Sequence, residues 1–172
     1  VWLRQTFGVE DPVPNVLKSC YIVNSSATGK LTAYPGAARD IDAKNGMVWV
    51  VGGNPIPGGY EISRLVGKNW VKIDGGAARI AVDNTGNPWI INSSGAIYRR
   101  LNDQWNVIPA PNGAIPLDIA ISTSGDIWIV TDNGTVSRWT GSGWTNLIAL
   151  NAKRINYIAS LDKFQIVDAN GK

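Results

Sequence analysis

The chain has 172 residues, 44% of them hydrophobic, and a net charge of +3, which allows one domain with a sizeable core and excludes a disordered chain. It has no histidine and one cysteine, Cys20, so serine–histidine and cysteine–histidine nucleophiles, imidazole metal sites, cysteine zinc clusters and intrachain disulfides are ruled out. No apolar run approaches the roughly 18 residues of a membrane span, and the basic residues are scattered, so neither membrane insertion nor nucleic-acid binding is expected.

In chain order, Val1-Trp2-Leu3-Arg4 has no signal-peptide character, and the missing initiator Met points to upstream cleavage or to a piece of a longer chain. Cys20 sits beside Tyr21 and Ile22 and reads as a buried thiol. Tyr21-Ile22-Val23-Asn24-Ser25-Ser26 opens a pattern that returns four times. Asp40 and Asp42 precede the first clear copy, Asn45-Gly46-Met47-Val48-Trp49-Val50-Val51. Its matches are Thr85-Gly86-Asn87-Pro88-Trp89-Ile90-Ile91 and Ser124-Gly125-Asp126-Ile127-Trp128-Ile129-Val130. A weak copy, Gln165-Ile166-Val167-Asp168, follows. The markers Tyr21, Trp49, Trp89, Trp128 and Gln165 are separated by 28, 40, 39 and 37 residues.

Within a unit, a short alternating stretch (Ile80-Ala81-Val82, Ile119-Ala120-Ile121) leads into a Gly turn and the Trp strand. A second turn then gives Ala96-Ile97-Tyr98-Arg99 or Thr135-Val136-Ser137-Arg138, and a last strand carries Trp70, Trp105 or Trp144. Four short strands in about 39 residues is the signature of a propeller blade. The expected fold is all-β: one β-propeller domain over residues 1–172, with short four-stranded antiparallel blades, five in number and two of them short. Asn170-Gly171-Lys172 stops inside a unit, so a strand at Val1-Trp2-Leu3 is expected to close the ring. A fragment of a larger propeller and a four-bladed core with irregular ends are the alternatives.

Trp70-Val71-Lys72-Ile73-Asp74-Gly75-Gly76, Ile80-Ala81-Val82, Gly86-Asn87-Pro88-Trp89 and Ile97-Tyr98-Arg99-Arg100 together resemble a tectonin repeat, over about residues 36–149. The sequence departs from that pattern where Tyr21 and Gln165 replace the Trp and where Ile90-Ile91-Asn92 stands in place of Gly-Val-Asn. The resemblance implies a propeller and a lectin or surface-recognition protein, although some tectonin proteins are intracellular adaptors.

Sugar rings stack on indole while their hydroxyls need polar partners, so the glycan-binding candidates are Trp70, Trp105, Trp139 and Trp144 with Tyr98, Arg99, Arg138, Asn92 and Asn133. Trp139 lies outside the repeat register and is expected at the surface. Trp49, Trp89 and Trp128, flanked by Ile and Val, read as packing anchors. The span from Trp49 to Ile62 is 13 residues where Trp89 to Ile97 is 8, which makes Asn54, Pro55, Ile56 and Pro57 a candidate interaction loop. Asp40 and Asp42, aligned with Ile80 and Val82, read either as a cation or catalytic site or as acids displaced by a bulge that turns Ile41 inward. Asn24, Asn92 and Asn133 are formal N-glycosylation acceptors that turn chemistry alone explains.

The expected function is non-enzymatic: a multivalent lectin with several weak repeated sites, extracellular or at the cell surface, without metal or cofactor. The alternative is a protein-interaction scaffold or a self-assembling subunit that associates through an open blade edge.

Overall fold

The computed structural model describes residues 18–23 and 31–170. The expected Val1–Leu3 strand, Asn24-Ser25-Ser26 and Gly171-Lys172 lie outside those residues. Sixteen strands follow one another: β1 (Lys18–Val23), β2 (Leu31–Ala38), β3 (Asp40–Lys44), β4 (Met47–Ile56), β5 (Gly59–Val66), β6 (Asn69–Ala77), β7 (Arg79–Val82), β8 (Pro88–Ile91), β9 (Ile97–Leu101), β10 (Gln104–Ile108), β11 (Pro116–Ile121), β12 (Ile127–Thr131), β13 (Thr135–Trp139), β14 (Trp144–Ala149), β15 (Ala152–Ile158) and β16 (Lys163–Asp168).

Neighbouring strands pair antiparallel into three four-stranded sheets, β3 to β6, β7 to β10 and β11 to β14, flanked by the two-stranded sheets β1-β2 and β15-β16. Tight turns make this possible. Asn45 and Gly46, with φ of 51° and 73°, form the two-residue connection of β3 to β4, a conformation that Asn-Gly adopts at low cost. The equivalent turn from β7 to β8 takes five residues, Asp83 to Asn87, closed by the Asp83 N–H on Asn87 O at 2.9 Å.

The core lies between sheets, and strand alternation puts both faces of each sheet to use. On β8, Ile90 faces Trp49, Val51 and Ile62 of the preceding sheet, while Trp89 and Ile91 face Ile119, Ile121 and Ile129 of the following one. The next interface joins Val130 and Val136 to Ile155 and Tyr157. Each second-strand Trp therefore points toward the following sheet, and Trp49 and Trp89 are 3% and 2% exposed, as expected for packing anchors.

Three expectations are corrected. The shorter β3–β4 turn moves the register by one residue, so Asp40 and Asp42 pair with Val51 and Trp49 and occupy the positions held by Arg79 and Ala81 on β7. Ile41, not either acid, matches Ile80. The expected loop at Asn54–Pro57 is largely an extension of the β4–β5 hairpin, with Pro55 opposite Tyr60 and Ile56 opposite Gly59. Tyr21 does not stand in for a second-strand Trp: β1-β2 shifts register between Ser19 and Cys20 across Pro35-Gly36, as β5-β6 does between Glu61 and Ile62 across Asp74-Gly75.

Candidate functional site

The innermost strands β3, β7, β11 and β15 each expose one edge, whose outward N–H groups need acceptors. Carboxylates of the preceding sheet supply them. Asp40 accepts the Ile80 N–H at 2.9 Å and Asp42 the Val82 N–H at 2.7 Å. Asp118 accepts the Ile155 N–H at 3.0 Å. This disposes of the cation or catalytic reading of Asp40 and Asp42: their oxygens complete the backbone of the next sheet.

Asp40, Arg79, Asp118 and Arg154 share one register position, opposite Val51, Ile91, Val130 and Val167, so charge alternates in sign around the inner strands. Asp118 is fully buried between Arg79, at 3.6 Å, and Arg154, at 2.9 Å. A charge so placed is tolerable because it is ion-paired on both sides and hydrogen-bonded to Arg154 and to the Ile155 N–H. One carboxylate thus serves two guanidinium groups.

A cavity of about 210 Å³ opens at this end of the inner strands. Arg39, Arg79 and Arg154 line it with Tyr60, the turn residues Asn92 and Ser93, and an apolar wall of Ile91, Ile115, Pro116 and Leu117. The Arg39 guanidinium lies 3.8 Å over the Tyr60 ring, a stacking that orients it. The extended β4–β5 hairpin borders the site, since Gly58 O accepts the Ser93 N–H at 2.9 Å. No carboxylate lines the cavity among the described residues. At the other end of the inner strands, the Lys44 ammonium donates to Ile121 O and Ser122 O at 2.9 and 2.8 Å, tying β3 to β11. Burial pushes the Lys44 pKa down, against the attraction of Asp42 and Asp83.

The glycan candidates are distributed otherwise. Trp105 donates its indole N–H to Asp74 O at 2.9 Å and Trp144 to Pro109 O at 2.6 Å, while Trp70 meets Tyr34 edge-on at 6.2 Å. Trp139, expected at the surface, is half-buried between Trp89 and Trp144, with centroids at 6.2 and 5.1 Å. Tyr98 packs on the Trp49 cluster. Arg99 is held by Asp83 and lies over Trp89; Arg138 is paired with Asp126. Asn92 Oδ1 accepts the Ser94 and Ala96 N–H groups, and Asn133 Oδ1 that of Thr135, so both amides staple their turns. Asn54 donates to Glu61 at 2.7 Å. Nothing brings the candidate indoles and polar groups into one groove, and none lines the cavity except Asn92.

Hydrogen bonds explain the two shifted aspartates. Asp83 has its pKa lowered: burial works against this but is outweighed by donors from Thr85, Arg99 and Asn87. Asp126 is lowered by Ser124 and Arg138. Both lie in the first turn of their sheets, away from the cavity.

No protein-family profile and no curated protein matches this sequence. Solved structures do. A gluconolactonase from Xanthomonas campestris, important in glucose secondary metabolic pathways, is 12% identical with a TM-score of 0.62, over 85% of this chain and 61% of that one. YCF48 bound to a D1 peptide is 17% identical with a TM-score of 0.50, over 73% and 46%. YCF48 from Cyanidioschyzon merolae is 15% identical with a TM-score of 0.54, over the same shares. The fold is a β-propeller. The chain spans about half to three-fifths of these structures, and the likeness supports the propeller but not membership of the tectonin family. Because one neighbour is an enzyme and another carries a peptide, the comparisons give no support to a lectin or to the absence of enzymatic activity.

Arg39, Arg79 and Arg154 escaped the sequence analysis. A signal was present: Gly36-Ala37-Ala38-Arg39 recurs as Gly76-Ala77-Ala78-Arg79, the first ending directly before β3 and the second on the first residue of β7.

Proposed function

We propose that this chain is a protein-recognition module that holds an acidic segment of a partner at the arginine-lined end of the propeller axis. The observation that carries this reading is the convergence of Arg39, Arg79 and Arg154 on one cavity whose lining, among the described residues, holds no carboxylate. Guanidinium groups bind carboxylates through paired N–H donors. The apolar wall of Ile115, Pro116 and Leu117 would take the aliphatic part of the same segment, and the peptide carried by one fold neighbour accords with such a use.

The test is fluorescence polarisation of labelled peptides that differ only in Asp or Glu against Asn or Gln. Acidic peptides are expected to bind, and Arg39→Ala to weaken them by about ten-fold or more, the worth of a lost charged hydrogen bond. Binding that ignores peptide charge, or that survives Arg39→Ala and Arg154→Ala unchanged, would overturn the proposal. So would a glycan array that retains the protein equally in both variants.

A further inference from the structure

We infer that the edge of β16 facing away from β15 is an interaction surface for the β1–β2 hairpin of the same chain, and that the two hairpins form one four-stranded blade in the order β15-β16-β1-β2.

The two hairpins are complementary halves. In β15-β16, Arg154 opposite Val167 and Ile155 opposite Ile166, after a shift at Ala152/Arg154, repeat Asp118 opposite Val130 and Ile119 opposite Ile129, after a shift at Pro116/Asp118. Those are the first and second strands of a blade. In β1-β2, Cys20 opposite Tyr34 and Ser19 opposite Ala37 repeat Ile62 opposite Ile73 and Glu61 opposite Gly76. Those are the third and fourth strands. The bulge Gly is left-handed in both, with φ of 111° at Gly36 and 88° at Gly75. The step into the next inner strand is also the same: the Arg39 N–H donates to Val51 O and the Ala78 N–H to Ile91 O, each at 2.8 Å. Tyr34 of β2 receives Trp70 at the junction where Asp74 receives Trp105.

The occupant is the same chain because the inner strands converge. Arg39, which leads into β3, and Arg154 of β15 line one cavity, and Lys44 reaches from β3 to β11. Four inner strands meeting at one axis place β15-β16 next to the sheet that β2 leads into. A strand edge that no other described strand pairs is a template for another strand, and pairing with β1 closes the ring as four blades, within the natural range. The register follows from the three complete blades, where Val51, Ile91 and Val130 face Ile62, Ile97 and Val136: Val167 faces Cys20, Ile166 faces Tyr21 and Gln165 faces Ile22. This places the closing edge on β1.

Cys20 makes the register testable. Directly opposed residues of antiparallel strands have Cα atoms about 4.5 to 5.5 Å apart, inside the range a disulfide spans. Val167→Cys, oxidised with oxidised glutathione, is expected to give an intrachain disulfide in most of the population, read as a monomer that has lost two hydrogens. Ile166→Cys should link far less, and the double variant Ile22→Cys, Gln165→Cys in a Cys20→Ser background should link like Val167→Cys. A disulfide-linked dimer would overturn the inference in favour of a second copy. Absence of any link in folded protein, in both Val167→Cys and the double variant, would overturn it outright.

Discussion

Trp49, Trp89 and Trp128 on the second strands and Trp70, Trp105 and Trp144 on the outer strands occupy matched positions in three blades, yet they serve opposite junctions. The first set points forward: Trp49 packs on Ile80, Val82 and Ile90, and Trp89 on Ile119, Ile121 and Ile129. The second set points back, with Trp105 bonded to Asp74 O and Trp144 to Pro109 O of the preceding blades. The two junctions between complete blades therefore each receive indoles from both sides, one deep and one peripheral, with Trp139 added between Trp89 and Trp144. The difference separates two uses of one residue: apolar area fills the deep position, and the N–H fixes the peripheral one.

The largest effect expected from this division is at Trp89. Trp89→Ala, at 2% exposure, should cost about 3 to 5 kcal/mol as a core cavity, whereas Trp105→Ala at its half-buried site should cost about 1 to 2 kcal/mol. Urea unfolding followed by circular dichroism measures both. Equal losses would mean that the two sets are energetically alike and that the forward and backward division has no consequence.

Asp83 sharpens the comparison, because it joins a deep indole to the turn that precedes it. Its carboxylate accepts from Trp89, Thr85, Asn87 and Arg99. The Asp83→Asn variant is expected to lose about 2 kcal/mol at neutral pH, as when a charged hydrogen-bond acceptor is removed. Since the folded pKa lies below the ordinary 3.8, the native contribution is complete above that value and is lost as pH falls through the lower, folded one. The gap between wild type and Asp83→Asn should therefore be constant above pH 3.8 and narrow only below it. A gap that widened in acid would show that the carboxylate does not carry this junction.

Much of the fold was legible because it repeats. The Gly turns, the Trp spacing and the last strands that carry Trp70, Trp105 and Trp144 mark three blades, and the Ile and Val that flank the second-strand Trp show that both faces are buried. What was not legible turns on single residues. Asn45-Gly46 closes its hairpin one residue sooner than Asp83 to Asn87 does, and that alone moves Asp40 and Asp42 from the core face to the edge of the next blade. The same slip gives the two Gly-Ala-Ala-Arg segments different registers, so Arg79 aligns with Asp40 and not with Arg39. The cavity was hidden for a related reason: its arginines come from the starts of three different inner strands, and only the convergence of those strands in the fold brings them together. Trp139 is half-buried and not surface-directed because Trp144 is its cross-strand partner in the β13–β14 hairpin and Trp89, 50 residues away in sequence, meets it across a blade junction.

The smallest effect is expected at Trp128, where the deep position lacks its acceptor. Ser122 stands where Asp83 does, and the carboxylate has moved to Asp126, which is held by Ser124 and Arg138. The buried Trp128 N–H consequently has no hydrogen-bond partner among the described residues, while the ring packs on Phe164 with centroids 4.8 Å apart. Leaving a buried donor unpaired costs about 1 to 3 kcal/mol, so removing it offsets the packing that a smaller ring gives up. Trp128→Phe is thus expected to change stability by about 0.5 kcal/mol or less, whereas Trp89→Phe, which strips a donor from Asp83, should lose about 1 to 2 kcal/mol. If urea titrations found the two equally damaging, the indole N–H would be irrelevant at both junctions and packing area alone would order the deep set.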